Sequence, residues 1–541
     1  MTPGSRDARS DGASFDVVIV GAGFAGLYQL HRLRDLGFSV RVFEAGGGVG
    51  GTWYWNRYPG ARCDIESVDY SYSFSPELEQ EWTWTERYAA QPEILSYLEH
   101  VADRFDLRRD IQFDTRIASA HFDEATGRWA LETEAGESVS ATYCVMATGC
   151  LSSTKVPEVP GVDAFAGPTF HTGRWPHEPV DFTGQRVGVI GTGSSAIQSI
   201  PHIARQAESV VIFQRTPNFS VPAWNHPLDP EYVAEVKASY PERRELCRQS
   251  QAGFPITGEP GTAREASEEE RAEQFGEKWQ EGGLRFLGAF ADLLIDPEAN
   301  DAASEFLRSK IRDRVEDPEV AALLSPSAYP CGTKRLCVDI GYYETFNRDN
   351  VTLVDIRSAP IEEITKTGVV TAAATYEFDT LVFATGFDAM TGALSSIDIV
   401  GTGGRSLKEK WQEGPRSYLG LAVAEFPNLF LITGPGSPSV LSNMVVSIEQ
   451  HVDWITDCLV HLRTADLGRI EATEEAEEEW VTLVAAVADF TLFPRANSWY
   501  IGANVEGKPR VFMPYIGGVN TYRAQCDEIA ANDYAGFSLG A

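Results

Sequence analysis

No C-x-x-C pair occurs in this 541-residue sequence, and its eight cysteines, at positions 63, 144, 150, 247, 331, 337, 458 and 526, form no metal-like cluster. That excludes a dithiol redox centre or structural zinc site as the organising feature and leaves reduced thiols, so a cytoplasmic location and no metal are expected. Cations are scarce: 45 Lys and Arg face 78 Asp and Glu, for a net charge of −33. Such a field repels nucleic acid and anionic membrane surfaces, and any anionic ligand needs a local reversal of sign. No apolar run reaches the roughly 18 residues of a membrane span. The opening MTPGSRDARSDGAS has no apolar segment of the secretory kind, and residues 1–14 are expected to be disordered.

What is present is ordinary globular material in quantity. The chain is 43% apolar and 11% aromatic, and at roughly 150 residues per domain its length predicts three or four units. Asp16–Val20 is a short apolar strand entering Gly21-Ala-Gly23-Phe-Ala-Gly26, after which Leu27, Leu30 and Leu33 recur at helical spacing. The strand Val40–Glu44 then ends in a carboxylate eighteen residues beyond Gly26, the place of a ribose-binding acid. Together these predict a dinucleotide fold. Gly50 to Asp64, which includes Thr52, Trp53, Arg57 and Arg62, is dense in glycine and aromatics. Such a loop can be purely structural; behind Glu44 it favours a flavin, because glycine lets backbone approach a ring that aromatics cover.

The same grammar returns at Arg186–Ile190, which leads into Gly191-Thr-Gly193-Ser194-Ser195-Ala196 and a helix carrying Gln198. Its second strand, Val210–Gln214, ends in Arg215-Thr216 where an NAD site carries an acid; unless Arg215 is merely a surface residue, this favours the 2′-phosphate of NADPH. Ala147-Thr-Gly149 and Ala384-Thr-Gly386 echo one another, which suggests that the chain leaves one domain and re-enters another. Between them, residues 222–330 turn rich in Glu, Arg, Ala and Gln and predict a helical insertion, with helices over 263–275 and 302–315 and a mobile loop at 254–261. The fold class is α/β, with two Rossmann-like dinucleotide-binding domains and a helical insertion in the second. Gly332-Thr-Lys334-Arg335 places two adjacent cations in an acidic protein; most such pairs are solvated, but this one follows a Pro/Gly turn. Residues 497–508 form an aromatic, glycine-hinged loop suited to a lid.

Between the two glycine loops stand Phe165, Gly167, His171 and Trp175. Phe165-x-Gly-x-x-x-His171-x-x-x-Trp175 resembles the fingerprint of the Baeyer–Villiger monooxygenases, the class B flavoprotein monooxygenases, and the likeness runs from about residue 16 to 537. WYWNRYPGARCD, GTKR, ATGFDAMTGAL, GPGSPSVLSNM and NSWYIGANV are most similar to the subgroup of phenylacetone and steroid monooxygenases. The resemblance implies a first FAD segment over 15–146, an NADP domain over 147–385, and a second FAD segment with the lid loop over 386–541. It implies FAD and NADPH as cofactors, a small ketone and O2 as partners, and a monomer. The implied reaction converts ketones, whether aryl, cyclic or steroid, to esters or lactones through a flavin C4a-peroxide.

Carried over residue by residue, the resemblance makes Arg335 the catalytic arginine and Asp64 its orienting partner. Tyr70 joins Thr52, Trp53 and Asp64 around the flavin. Ser194, Ser195, Gln198, Lys334 and Trp499 join Arg215 and Thr216 around NADP. Cys150, Ser439, Leu441 and Met444 become the substrate pocket, although apolar loop residues are as often plain packing. His171 is expected to act as a structural hinge, because no proton leaves the ketone carbon in this chemistry. Cys150 and Glu506 depart from the subgroup, the second replacing a lid-loop proline whose loss is expected to loosen the lid. A flavin N- or S-oxygenase is the nearest alternative, and a flavin-fold sensor without turnover the alternative from another class.

Overall fold

In the computed structural model, residues 13–256 and 261–540 are described. The expected disordered terminus therefore lies outside the described residues except for Ala13 and Ser14, which open strand β1 (Ala13–Val20). The loop expected at 254–261 is described only in part. Strand β1 runs parallel between β2 (Val40–Phe43) and β6 (Ser138–Met146), and β3 (Ile111–Gln112) lies parallel outside β2. Val17, Val18 and Ile19 are fully buried, as strands covered on both faces require. Antiparallel β4 (Ile117–Asp123) and β5 (Arg128–Thr133) extend the sheet from β6. Two strands from far along the chain complete it, Asp398–Val400 pairing with β4 and Leu429–Leu431 with the other end of β6. Helix α1 (Phe24–Asp35) buries Leu27, Leu30 and Leu33 and packs against the long helix Met444–Thr464.

The second sheet is wholly parallel. Its order is Val351–Asp355, β9 (Ser209–Gln214), β8 (Arg186–Ile190), Thr380–Phe383 and β7 (Thr169–His171). The two sheets repeat one junction. Gly21 N–H donates to Phe43 O at 2.8 Å and Gly191 N–H to Phe213 O at 3.1 Å, while Ala147 N–H and Ala384 N–H each donate at 2.9 Å, to Val20 O and Ile190 O. Gly21 and Gly191 hold φ of 107° and 113°, and a Cβ on either would press into the carbonyl of Ala147 or Ala384. The Ala-Thr-Gly echo thus marks where one strand of each sheet, β6 and Thr380–Phe383, backs a glycine turn.

Segment 222–330 is helical but serves two bodies. Its helices Pro230–Ala238 and Tyr240–Gln249 place Val236 and Tyr240 in the core of the first fold, where Arg243 pairs with Asp69 at 2.6 Å and Arg244 with Glu79 at 2.7 Å. The remainder builds its own core around Phe275, Phe286 and Phe290, shared with Tyr329 and Leu336. The helix expected over 263–275 is found at Glu268–Glu281, because Ser267 and Glu270 form a capping box that fixes its start. The one expected over 302–315 begins earlier, at Pro297, capped by Asp296. Among the described residues no helix is long and apolar enough to cross a membrane, and no His/Cys/Asp/Glu group is placed to hold a metal ion.

Candidate active site

Two helix N-termini face the glycine turns. Neither α1 nor the Ser194–Gln206 helix has a side-chain cap or an acid in its first turn, whereas Asp229, Ser267, Asp296 and Thr473 cap theirs. Free N–H groups at a helix start, with glycine at the turn, suit a pyrophosphate. At the first site Gly26 packs against Gly21 O, and Gly23 lies against Gly51, so side chains there would fill the cradle. Glu44 is buried, its carboxylate accepting from Ala22 N–H and Gly46 N–H, both at 2.7 Å. Burial pushes its pKa up, against the pull of those amides. Trp53 and Tyr70 are buried and joined, Trp53 Nε1 donating to Tyr70 Oη at 3.3 Å; Thr52 is exposed on the short helix Thr52–Trp55. These residues fit a flavin dinucleotide.

At the second site the side chains have protein partners as well. Ser194 Oγ lies 3.2 Å from Cys337 Sγ, and Ser195 Oγ 3.0 Å from Thr172 Oγ1. Gln198 bridges the two folds, its Oε1 accepting from Tyr58 Oη at 2.8 Å and its Nε2 donating to Arg62 O at 3.1 Å. Thr216 O accepts from Thr192 Oγ1 at 3.0 Å. Arg215 is exposed, and Lys334 lies with Nζ 4.9 Å from the Tyr329 ring centre. Burial, reinforced by the Arg215 guanidinium, brings the Lys334 ammonium down to about 8. Two mutually repelling cations are the local reversal of sign that an anionic ligand needs here, and the set fits NADPH with its 2′-phosphate.

Arg335 lies between the folds. Its Nε and Nη2 donate to the two oxygens of Asp64 at 2.9 and 2.8 Å, and its Nη1 donates to Val440 O at 2.9 Å. Burial works against its charge, and Asp64 more than offsets that, holding the guanidinium above its ordinary range. The pair brings together residues 271 positions apart. Nearby, Cys150, Met390, Val440, Tyr500 and Met513 form one apolar cluster, with Leu441, Met444 and Trp499 packed against it. Tyr500, which no motif singles out beyond its place in the aromatic loop, is 1% exposed; burial pushes its phenol up to about 12, opposed by Arg335. Cys150 is buried, its thiol pushed up to about 11 by that burial. Ser439 is fully buried, its Oγ 3.5 Å from Thr433 O.

The fingerprint residues do not converge on one point. Phe165 packs with the cluster around Phe378 and Phe383, and Trp175 with that around Val187 and Ile200. Gly167 sits where a Cβ would strike Asp379 O. His171 accepts from Gly173 N–H at Nδ1, 3.0 Å, so Nε2 carries the proton and donates to Lys155 O at 3.2 Å. Burial lowers its pKa and keeps it neutral. Glu506 is exposed at the second position of a turn closed by Lys508 N–H donating to Val505 O at 3.4 Å, with Gly507 at φ 73°. That is a position where proline also fits.

Residues 15–223 match the flavin-binding monooxygenase-like family. A Baeyer–Villiger monooxygenase of Pseudooceanicola batsensis is 42% identical over 98% of this chain and 97% of its own. The chain belongs to the Baeyer–Villiger monooxygenases. Phenazine N-monooxygenase PhzNO1 of Lysobacter antibioticus is 44% identical, covering 98% of both chains. Among solved structures, an oxidized steroid monooxygenase bound to NADP is 57% identical with a TM-score of 0.94, covering 98% of this chain and all of its own. The α/β architecture of this Baeyer–Villiger monooxygenase is therefore that of NADP-bound relatives.

Proposed function

We propose that this Baeyer–Villiger monooxygenase oxidises bulky, neutral, apolar ketones to esters or lactones, with Arg335 and Asp64 as its catalytic pair. The observation that carries the reading is the bidentate Asp64–Arg335 contact beside an apolar wall. FAD on the Gly21–Gly26 turn and Glu44, and NADPH on the Gly191–Ser195 turn with Lys334 and Arg215, supply the electrons and activate dioxygen when bound. The chain supplies the rest. Arg335 is a permanent cation fixed in plane, able to donate to the negative charge that builds on the ketone oxygen. Asp64 orients it. The wall excludes water, and Met390, Met444 and Met513, three of the five methionines in the sequence, give that wall the pliability to fit large substrates.

The test incubates FAD-loaded protein and NADPH with phenylacetone, cyclic ketones and a 20-ketosteroid, following ketone-dependent NADPH loss and identifying products by mass. Products one oxygen heavier that hydrolyse to an acid and an alcohol are expected; NADPH loss indifferent to every ketone, with no such product, overturns the reading. The phenazine N-monooxygenase relative favours one second reading, oxidation at nitrogen. Phenazine added to the screen decides it: an N-oxide without any ester moves the assignment.

A further inference from the structure

Two of the chain's crossings between its nucleotide folds, at 150–155 and 386–390, lie side by side. Met390 N–H donates to Cys150 O and Asp388 N–H to Ser153 O, both at 2.8 Å, and Lys155 N–H to Gly386 O at 2.9 Å, with Thr154 bridged to Phe387. The aromatic loop 497–508 sits on this ribbon. Lys155 Nζ donates to Asn504 O, and Asn504 Nδ2 donates to Phe387 O at 2.7 Å. Lys508 Nζ, on a side chain only 11% exposed, donates to an Asp388 oxygen at 2.6 Å and to Ala389 O at 2.7 Å. These bonds tie the loop to both crossings.

Lys155 does more than anchor the loop. Its carbonyl also accepts from His171 Nε2–H at 3.2 Å and from the Thr385 hydroxyl. One residue therefore joins the fingerprint, the outgoing crossing, the returning crossing and the loop. At the loop's other end Tyr500 O accepts from Met513 N–H at 2.9 Å, its ring lies 4.2 Å from that of Trp499, and it is buried in the apolar wall beside Arg335. A half-buried ammonium needs hydrogen-bond acceptors to offset its desolvation, and the loop and the returning crossing supply them, Asn504 O to Lys155 and the Asp388 carboxylate with Ala389 O to Lys508.

We propose that Lys155 and Lys508 are positioning residues that fasten the Trp499–Tyr500 loop to the interdomain ribbon, so that exclusion of water from the Arg335 site follows the arrangement of the two folds. The inference rests on the proposed oxygenation. Lys155→Met and Lys508→Met, each as FAD-loaded protein, are compared with the unaltered chain in three measurements: NADPH-driven flavin reduction, hydrogen peroxide released per NADPH in the presence of ketone, and amide hydrogen exchange over 499–505. Reduction is expected to stay within about twofold. Peroxide per NADPH is expected to rise at least fivefold, and exchange at least tenfold, with Lys155→Arg restoring both. Unchanged exchange in both variants overturns the proposal. Faster exchange with unchanged peroxide, or an equal fall in reduction and product, also overturns it, since the lysines would then only support the fold. If the unaltered chain forms no oxygenated product, the functional reading fails separately, and the exchange measurement alone decides whether the fastening exists.

Discussion

Arg335 and Lys334 are neighbours in sequence and opposites in electrostatics. Arg335 has a carboxylate on its fork, whereas Lys334 is half-buried beside another cation and its pKa is brought down to about 8. Arg335→Ala is expected to be reduced by NADPH normally while ester formation falls by about 10²–10³, the loss seen when one aimed donor is removed. Arg335→Lys should restore little of it, because a point charge cannot fill both Asp64 contacts; near-normal ester formation in either variant removes Arg335 from the catalytic role. For Lys334, a 2′-phosphate favours the ammonium, so binding takes up a proton once the free lysine is neutral. The KM for NADPH should therefore rise as pH climbs through about 8, by ~tenfold per unit at most, while that for NADH stays flat, and Lys334→Gln should abolish the rise. Lys334 itself does not weaken the fold over that rise, because a lysine whose folded pKa lies below its unfolded 10.5 adds stability as pH rises through that window.

The twin glycine turns allow the two proposed cofactor sites to be told apart experimentally. Both Gly21 and Gly191 combine a positive φ with a carbonyl in the path of any Cβ, a strain of about 1–3 kcal/mol at each turn before the contact is counted. Gly21→Ala should purify without flavin. Gly191→Ala should stay yellow yet be reduced by NADPH at least tenfold more slowly; reduction at the normal rate would move the NADPH site off this turn. Such elements were legible in the sequence because each is local: strand, glycine turn and helix fall within about thirty residues. The Ser267–Glu270 capping box is equally local, and it sets the start of its helix five residues beyond the 263 that apolar spacing suggests. The partners of Leu429–Leu431 and of Lys155 were not legible. LFLI announces a strand but not which edge it joins, and nothing in a linker lysine points to a carbonyl 349 residues away. The Arg335–Asp64 pairing belongs to the same class, and only the likeness to a family supplied it before the structure did.

At the scale of the whole molecule, the helices 230–249 decide which parts can move together. They follow the second fold's β9 in sequence, yet they pack into the core of the first fold, with Asp69 almost fully buried against Arg243. Arg243→Met strands that carboxylate without its partner, at a cost of about 3–5 kcal/mol. A fall in melting temperature of at least about 5 °C is expected by calorimetry on the FAD-loaded protein. Arg243→Met combined with Asp69→Leu should recover most of it, because a well-packed apolar pair replaces a buried ion pair at little loss. Neither change should alter the rate of NADPH-driven reduction. Other direct ties between the folds, among them the Gln198–Arg62 contact, the Arg335–Asp64 pair and the ribbon held by His171 and Lys155, lie nearer the cofactor turns. If Arg243→Met instead slows reduction as much as it lowers the melting temperature, the 230–249 helices move with the NADPH fold and the boundary between the bodies lies on their other side.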